Sequence, residues 1–182
     1  MSAYEAAGES DEWYTPRYIF DALGEHFDMD VAAPANGPRH VPCDVWLSKD
    51  HDALSREWRG FVWMNPPFGH QSTKIQWLSK FFKHGNGIAL VPDRTSAPWW
   101  QRFANHADAI LFVAPKIKFE RPDGSVGESP GTGTCLFAAG KRAVAALGRS
   151  KLGLVLHREP EPICRDTRLP YQSCLCTRCR PN

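Results

Sequence analysis

Phe61-Val62-Trp63-Met64-Asn65-Pro66-Pro67-Phe68 is the stretch that decides the fold. Four large apolar residues without polar alternation read as a short strand buried on both faces. The run stops at an asparagine followed by two prolines, which lack the N–H that a sheet ladder needs. Beyond the stop, Ile75, Leu78 and Phe82 recur at helical spacing, and Gly85 and Gly87 end that helix. Buried strand, rigid loop and amphipathic helix together make one α/β unit.

Working outward, the same alternation continues in both directions. Upstream, Thr15-Pro16 reads as a helix start, with threonine capping free N–H groups and proline suited to the first turn. Ile19, Leu23 and Phe27 follow at helical spacing, then Phe27–Ala33 as a strand and Pro34–Pro42 as a loop. Downstream come a strand at 87–91, a helix opened by Ser96 and Pro98, and a strand at 109–114. Lys116–Glu128 reads as a hairpin turning at Pro122-Asp123-Gly124. A strand at 134–139, a helix at 141–148 and a strand at 153–157 close the series. The expected fold is α/β, a mostly parallel sheet with a late β-hairpin. Such sheets bind ligands at the carboxyl ends of their strands, which selects Asp30–Ala33, Asn65–Phe68 and Pro92–Thr95.

Composition sets the limits. A length of 182 residues with 42% hydrophobic content supports one packed domain and excludes a disordered tail protein. Its expected extent is 13–157, after a polar, acidic N-terminus at 1–12. No apolar run approaches the length that crosses a bilayer, so no membrane partner is expected. The first residues carry no apolar secretion signal, which points to a reducing cytoplasm and reduced cysteines. A net charge of +2 gives no bulk argument for nucleic acid, yet the charge is uneven. Residues 158–182 form a basic tail, and the rest of the chain is neutral.

Asn65-Pro66-Pro67-Phe68 carries the chemistry. Average composition gives Asn-Pro-Pro-aromatic by chance in ~1 protein per thousand of this size. Its features suit methylation of an amine conjugated to a π-system, whose delocalised lone pair makes the nitrogen a poor nucleophile. Two acceptors on the amine hydrogens, the Asn65 side-chain oxygen and the Pro66 carbonyl, favour a tetrahedral nitrogen and stabilise the positive charge that develops. Pro66 and Pro67 stiffen the loop, and Phe68 offers a face on which a flipped-out base stacks. The alternative is a stiffened turn with Phe68 in the core.

The flanking residues add a family. Trp13-Tyr14-Thr15-Pro16, Asp30-Val31-Ala32-Ala33, Asp52-Ala53-Leu54 with Trp58, and Asn65–Phe68 follow one another in order. Leu90–Thr95 with Trp99-Trp100, then Lys116-Ile117-Lys118-Phe119, continue the series. This order resembles the phage N6-adenine DNA methyltransferase (Dam-like) family over about residues 13–140. The resemblance implies a Rossmann-like fold, S-adenosylmethionine as cofactor, double-stranded DNA as partner, and protection of phage DNA from restriction. It also implies that Thr15 and Pro16 touch the methionine part of the cofactor and that Asp30, Ala32 and Ala33 form its floor. By the same resemblance, Asp52 accepts from the cofactor's adenine amine and Asn65–Phe68 hold the target amine. Asp30 also reads as a turn residue, and Asp52 as the N-cap of a short helix over 53–58. Like that family, the chain lacks a glycine-rich F-x-G-x-G motif. Asp44 is a candidate for the cofactor ribose and also reads as a surface charge.

Weaker constellations remain. Lys116, Lys118 and Arg121 surround Phe119 on the expected hairpin and suit DNA phosphates and a flipped base, with a lysine-protected edge strand as the alternative. Arg94 suits DNA phosphate or a protein carboxylate. Cys164, Cys174, Cys176 and Cys179 in the tail suit one tetrahedral zinc, although only the last pair has the usual spacing; a flexible basic tail is the alternative. Pro42-Cys43 lacks the partners of a cysteine nucleophile, so Cys43 reads as a small apolar residue. Trp77 reads as core, whereas Trp99 and Trp100, adjacent on a helix, are not both expected inside. Other functional readings are methylation of RNA adenine or protein glutamine, and a non-catalytic DNA-binding module with a zinc tail.

Overall fold

A computed structural model describes residues 13–68, 70–127 and 131–159. Its elements run in the order α1 (Arg17–Leu23), β1 (Phe27–Asp30), β2 (Cys43–Trp46), β3 (Val62–Met64), α2 (Gln71–His84), β4 (Gly87–Pro92) and α3 (Pro98–Ala104). Then follow β5 (Ala109–Val113), β6 (Thr134–Ala139), α4 (Lys141–Ser150) and β7 (Gly153–His157). The seven strands form one sheet in the order β2-β1-β3-β4-β6-β5-β7. β2, β1, β3 and β4 are mutually parallel. β6 runs antiparallel to β4 and β5, and β7 antiparallel to β5. This is the expected Rossmann-like α/β sheet, with its antiparallel pairings gathered in the last third of the chain.

Both faces of the sheet are covered. Trp63, Phe27 and Phe61 pack under α1 and α4, with Phe20 perpendicular to Trp63 at 4.9 Å between ring centroids. Val62, Met64 and Phe137 pack under α2 and α3 with Leu78, Phe81 and Trp100. Burial on both faces explains why β3, β4 and β6 read as unbroken apolar runs. Gly87 is required where β4 meets β3, since a Cβ there would lie 2.3 Å from the Val62 carbonyl oxygen.

Several expectations change. Pro16, not Thr15, occupies the N-cap of α1, and no side chain caps that helix. β2 follows the expected loop at 34–42 and is not anticipated by the sequence: it is an edge strand with three exposed residues, so no apolar pattern marks it. The helix at 53–58, the alternative reading of Asp52, does not form; a 3-10 turn at Lys49–His51, capped by Ser48, precedes Asp52 instead. Asp52 therefore closes a turn, in left-handed conformation at φ 46°, rather than opening a helix. The expected hairpin at 116–128 is an arm held by isolated bridges from Glu120 to Tyr14 and Val126. Trp99 and Trp100 are both buried. α3 packs against α2 as well as the sheet, so Trp100 reaches Phe137 while Trp99 lies near Lys74 of α2.

Candidate active site

The sheet has a switch point at β1, whose parallel neighbours β2 and β3 lie on opposite sides. A crevice is expected beyond the carboxyl ends at such a point. Asp30 ends β1 there, in register with Trp46 of β2 and Trp63 of β3. The next residues are stitched to both neighbours: Val31 N–H donates to Trp63 O (3.0 Å), Leu47 N–H to Asp30 O (2.8 Å) and Ala33 N–H to Leu47 O (2.9 Å).

Asp30 is 2% exposed, and burial pushes its carboxyl up to about 7, although the Ala32 N–H donates to Oδ1 at 3.1 Å. Among the described residues its second oxygen has no donor. A buried carboxyl with half its acceptor capacity open at a strand end suits a ligand bearing N–H or O–H groups. Beside it, the half-exposed Trp46 indole lies against Gly37, where a Cβ would come within 3.2 Å of the ring. His51 meets Trp46 edge-on, with centroids 5.4 Å apart. No sequence motif marks Trp46; its place on an unrecognised edge strand hid it.

Asn65–Phe68 leaves the end of β3. Asn65 Nδ2 donates to Thr15 Oγ1 at 3.3 Å, and among the described residues no donor takes its Oδ1 or the Pro66 carbonyl oxygen. Pro66 is buried, whereas Pro67 and Phe68 are exposed. Phe68 packs perpendicular to Phe119, with centroids 6.2 Å apart. Lys74, in the first turn of α2, donates to Phe68 O at 2.5 Å. Burial and then the charge of Arg94 lower the Lys74 pKa, so two cations stand close together beside the loop. Lys74 carries no motif, and only the folded chain brings it to Arg94.

The other sequence candidates distribute unevenly. Thr15 and Asn65 meet, and Pro16 follows Thr15 directly into α1. Asp52 stands in its turn, hydrogen-bonded to Ser55, and its charge raises the pKa that burial lowers at Lys80. Lys116 and Lys118 are exposed, and Lys116 donates to Gly131 O at 3.3 Å. Phe119 is 8% exposed and belongs to the core, so it supports Phe68 instead of presenting a face of its own. Arg121 is exposed on the arm, lying over the Trp13 ring and donating to Ser125 Oγ (3.3 Å). Asp44 is a surface charge near the amino end of β2, paired with His26 at 2.7 Å. Cys164, Cys174, Cys176 and Cys179 lie outside the described residues. Among the described residues no three His, Cys, Asp or Glu side chains gather as metal ligands, and no helix is long and apolar enough to cross a membrane.

Among curated proteins none matches the chain. The family model described as DNA N-6-adenine-methyltransferase (Dam) matches residues 4–143. That span holds the whole parallel half of the sheet and each residue converging at the switch point, and the chain belongs to this family of DNA adenine methyltransferases.

Proposed function

We propose that the chain methylates N6 of an adenine swung out of double-stranded DNA, using S-adenosylmethionine, with Asn65–Phe68 holding the base. The observation that carries this reading is the pair of uncommitted acceptors, Asn65 Oδ1 and Pro66 O, beside the half-satisfied Asp30 carboxyl. When bound, the cofactor supplies an electrophilic methyl group on a sulfonium sulfur. Asp30, with the small residues Ala32 and Ala33, forms its floor, and Pro16 borders the same space. Trp46 offers a flat apolar face and Asp52 the acceptor for an adenine amine.

The residues of the chain act on the amine. Its two hydrogens point at Asn65 Oδ1 and Pro66 O, which draws the nitrogen toward tetrahedral geometry and frees its lone pair. As the N–C bond forms, positive charge grows on nitrogen and the two acceptors stabilise it. The nitrogen then gives up one proton to solvent, while the electron pair of the broken S–C bond would stay with the departing thioether. Phe68 stacks on the extruded base, while Lys74, Arg94, Lys116 and Lys118 neutralise phosphates around it.

Labelled methyl transfer from S-adenosylmethionine to double-stranded DNA, followed by nucleoside analysis, tests the reading. N6-methyladenine is the expected product. Asn65→Ala lowers turnover at least ~100-fold, as loss of a transition-state charge stabiliser does elsewhere, with cofactor binding and thermal unfolding unchanged. A folded, cofactor-binding chain that makes no N6-methyladenine on any DNA overturns it.

A further inference from the structure

Resting on that reading of Asn65, we infer that Thr15 is a positioning residue: its hydroxyl holds the Asn65 carboxamide so that Oδ1 faces the target amine. The resemblance implied a different use for Thr15, contact with the cofactor's methionine part. The geometry directs its Oγ1 at Asn65 Nδ2, 3.3 Å away, from a side chain that is 6% exposed.

The placement of Thr15 is built, and its neighbours show how. Tyr14 exchanges both backbone hydrogen bonds with Glu120, at 2.9 and 3.0 Å. The Glu120 carboxylate is gripped by His40 at 2.9 Å and Arg39 at 3.5 Å, and Arg39 also covers the Tyr14 ring at 4.2 Å. On the other side Pro16 leads directly into α1, whose Ile19, Phe20 and Leu23 are buried. Thr15 is therefore fixed between a backbone bridge and a docked helix, and it does not cap that helix.

A free carboxamide rotates broadly about its last torsion. If the group turned over, its NH2 would face the hydrogens of the amine, donor against donor. A hydroxyl alone accepts either orientation. With the amine present, one arrangement satisfies every partner: amine N–H to Oδ1, and Nδ2–H to Thr15 Oγ1. The bonds then lie in a chain, and charge growing on the amine polarises the amide and strengthens its donation to Thr15.

The test uses the full chain, double-stranded DNA and saturating S-adenosylmethionine in single turnover. Thr15→Val keeps the side-chain shape and removes the hydroxyl; it is expected to slow methyl transfer roughly 10-fold, the scale of one hydrogen bond. Calorimetric cofactor affinity should stay unchanged, and Thr15→Ser should restore the rate. In the wild-type chain, the Asn65 side-chain NH2 should show slowed hydrogen exchange by NMR, identified by its loss in Asn65→Ala. This readout stands even if Thr15→Val fails to fold. A wild-type rate in Thr15→Val, a defect confined to cofactor affinity, a Thr15→Ser variant as slow as Thr15→Val, or a freely exchanging Asn65 amide each overturns the inference. Absence of N6-methyladenine from the wild-type chain overturns the proposed function instead, and the NMR measurement still decides whether Thr15 holds Asn65.

Discussion

Phe119 stands perpendicular to Phe68, the two rings meeting at 89° with centroids 6.2 Å apart. One ring belongs to the core and the other is 39% exposed, so the core reaches the candidate site through this pair. Edge-to-face packing fixes the plane of an exposed ring without covering all of it. A base stacking on Phe68, as proposed, would meet a ring already oriented.

Phe68→Ala should raise the KM for DNA roughly 10-fold, because stacking of a base on an aromatic ring contributes about 1–3 kcal/mol. Phe68→Tyr keeps the ring and should leave KM near the wild-type value. Steady-state methylation of one DNA fragment by the three proteins checks this, and equal KM values would exclude Phe68 as the platform.

Lys74 and Arg94 answer to salt. Burial first, and then the like charge of Arg94, lowers the Lys74 pKa, and a DNA phosphate held between the two cations would relieve the repulsion. Lys74→Met and Arg94→Ala should each weaken DNA binding on all sequences alike. Each should also reduce the slope of log affinity against log salt by about 1. Fluorescence titrations at several ionic strengths measure the slopes; unchanged slopes would place both cations outside the DNA interface.

What the sequence revealed follows from burial. β3, β4 and β6 are covered on both faces, so their apolar runs are visible without any neighbour. Asn65–Phe68 was legible because the run stops abruptly at residues that cannot continue a ladder. β2 stayed hidden because an exposed edge strand needs no apolar face, and Trp46 was hidden with it. The Lys74–Arg94 and Thr15–Asn65 approaches were illegible for another reason: each joins segments that only the tertiary fold brings together. Trp99 and Trp100 misled because a helix wedged between a sheet and a second helix buries a wider arc than an ordinary surface helix.

Glu25 ties α4 to the turn before β1. Its carboxylate receives Arg142 Nε at 2.7 Å and also Arg149, which donates in addition to Leu23 O at 3.0 Å. Burial raises the Glu25 pKa, and the two arginines more than offset it, leaving the carboxyl below its ordinary 4.5. A depressed carboxyl stabilises the fold above its unfolded pKa and loses that contribution as pH falls through the folded value. Both arginines are about half exposed, so screening limits the gain. Glu25→Gln should cost about 1 kcal/mol at pH 7, and the gap from wild type should narrow as pH falls below the ordinary 4.5. Urea unfolding above and below that value tests it, and a gap independent of pH would remove the ion pairs as its cause.

Asp30 has the opposite sign. Its carboxyl is pushed from 3.8 to about 7, first by burial, against the partial support of the Ala32 N–H. Between those values the unfolded chain has released the proton and the folded chain still holds it. Stability should therefore fall as pH rises from 4 to 7 and level off above. Asp30→Asn removes the titration, so its stability relative to wild type should improve across that window, by up to roughly 4 kcal/mol. Cofactor binding runs the other way if Asp30 lines the cofactor floor. The ionised carboxylate is the better partner for the cationic methionine part, so affinity should rise between pH 5.5 and 7. Binding near pH 6.5 should then release a proton, measurable by calorimetry in buffers of different ionisation enthalpy. Asp30→Asn should bind more weakly at pH 7 and with no such proton release. A variant that binds the cofactor as tightly as wild type at pH 7 would remove Asp30 from the cofactor site and leave it a structural acid at the end of β1.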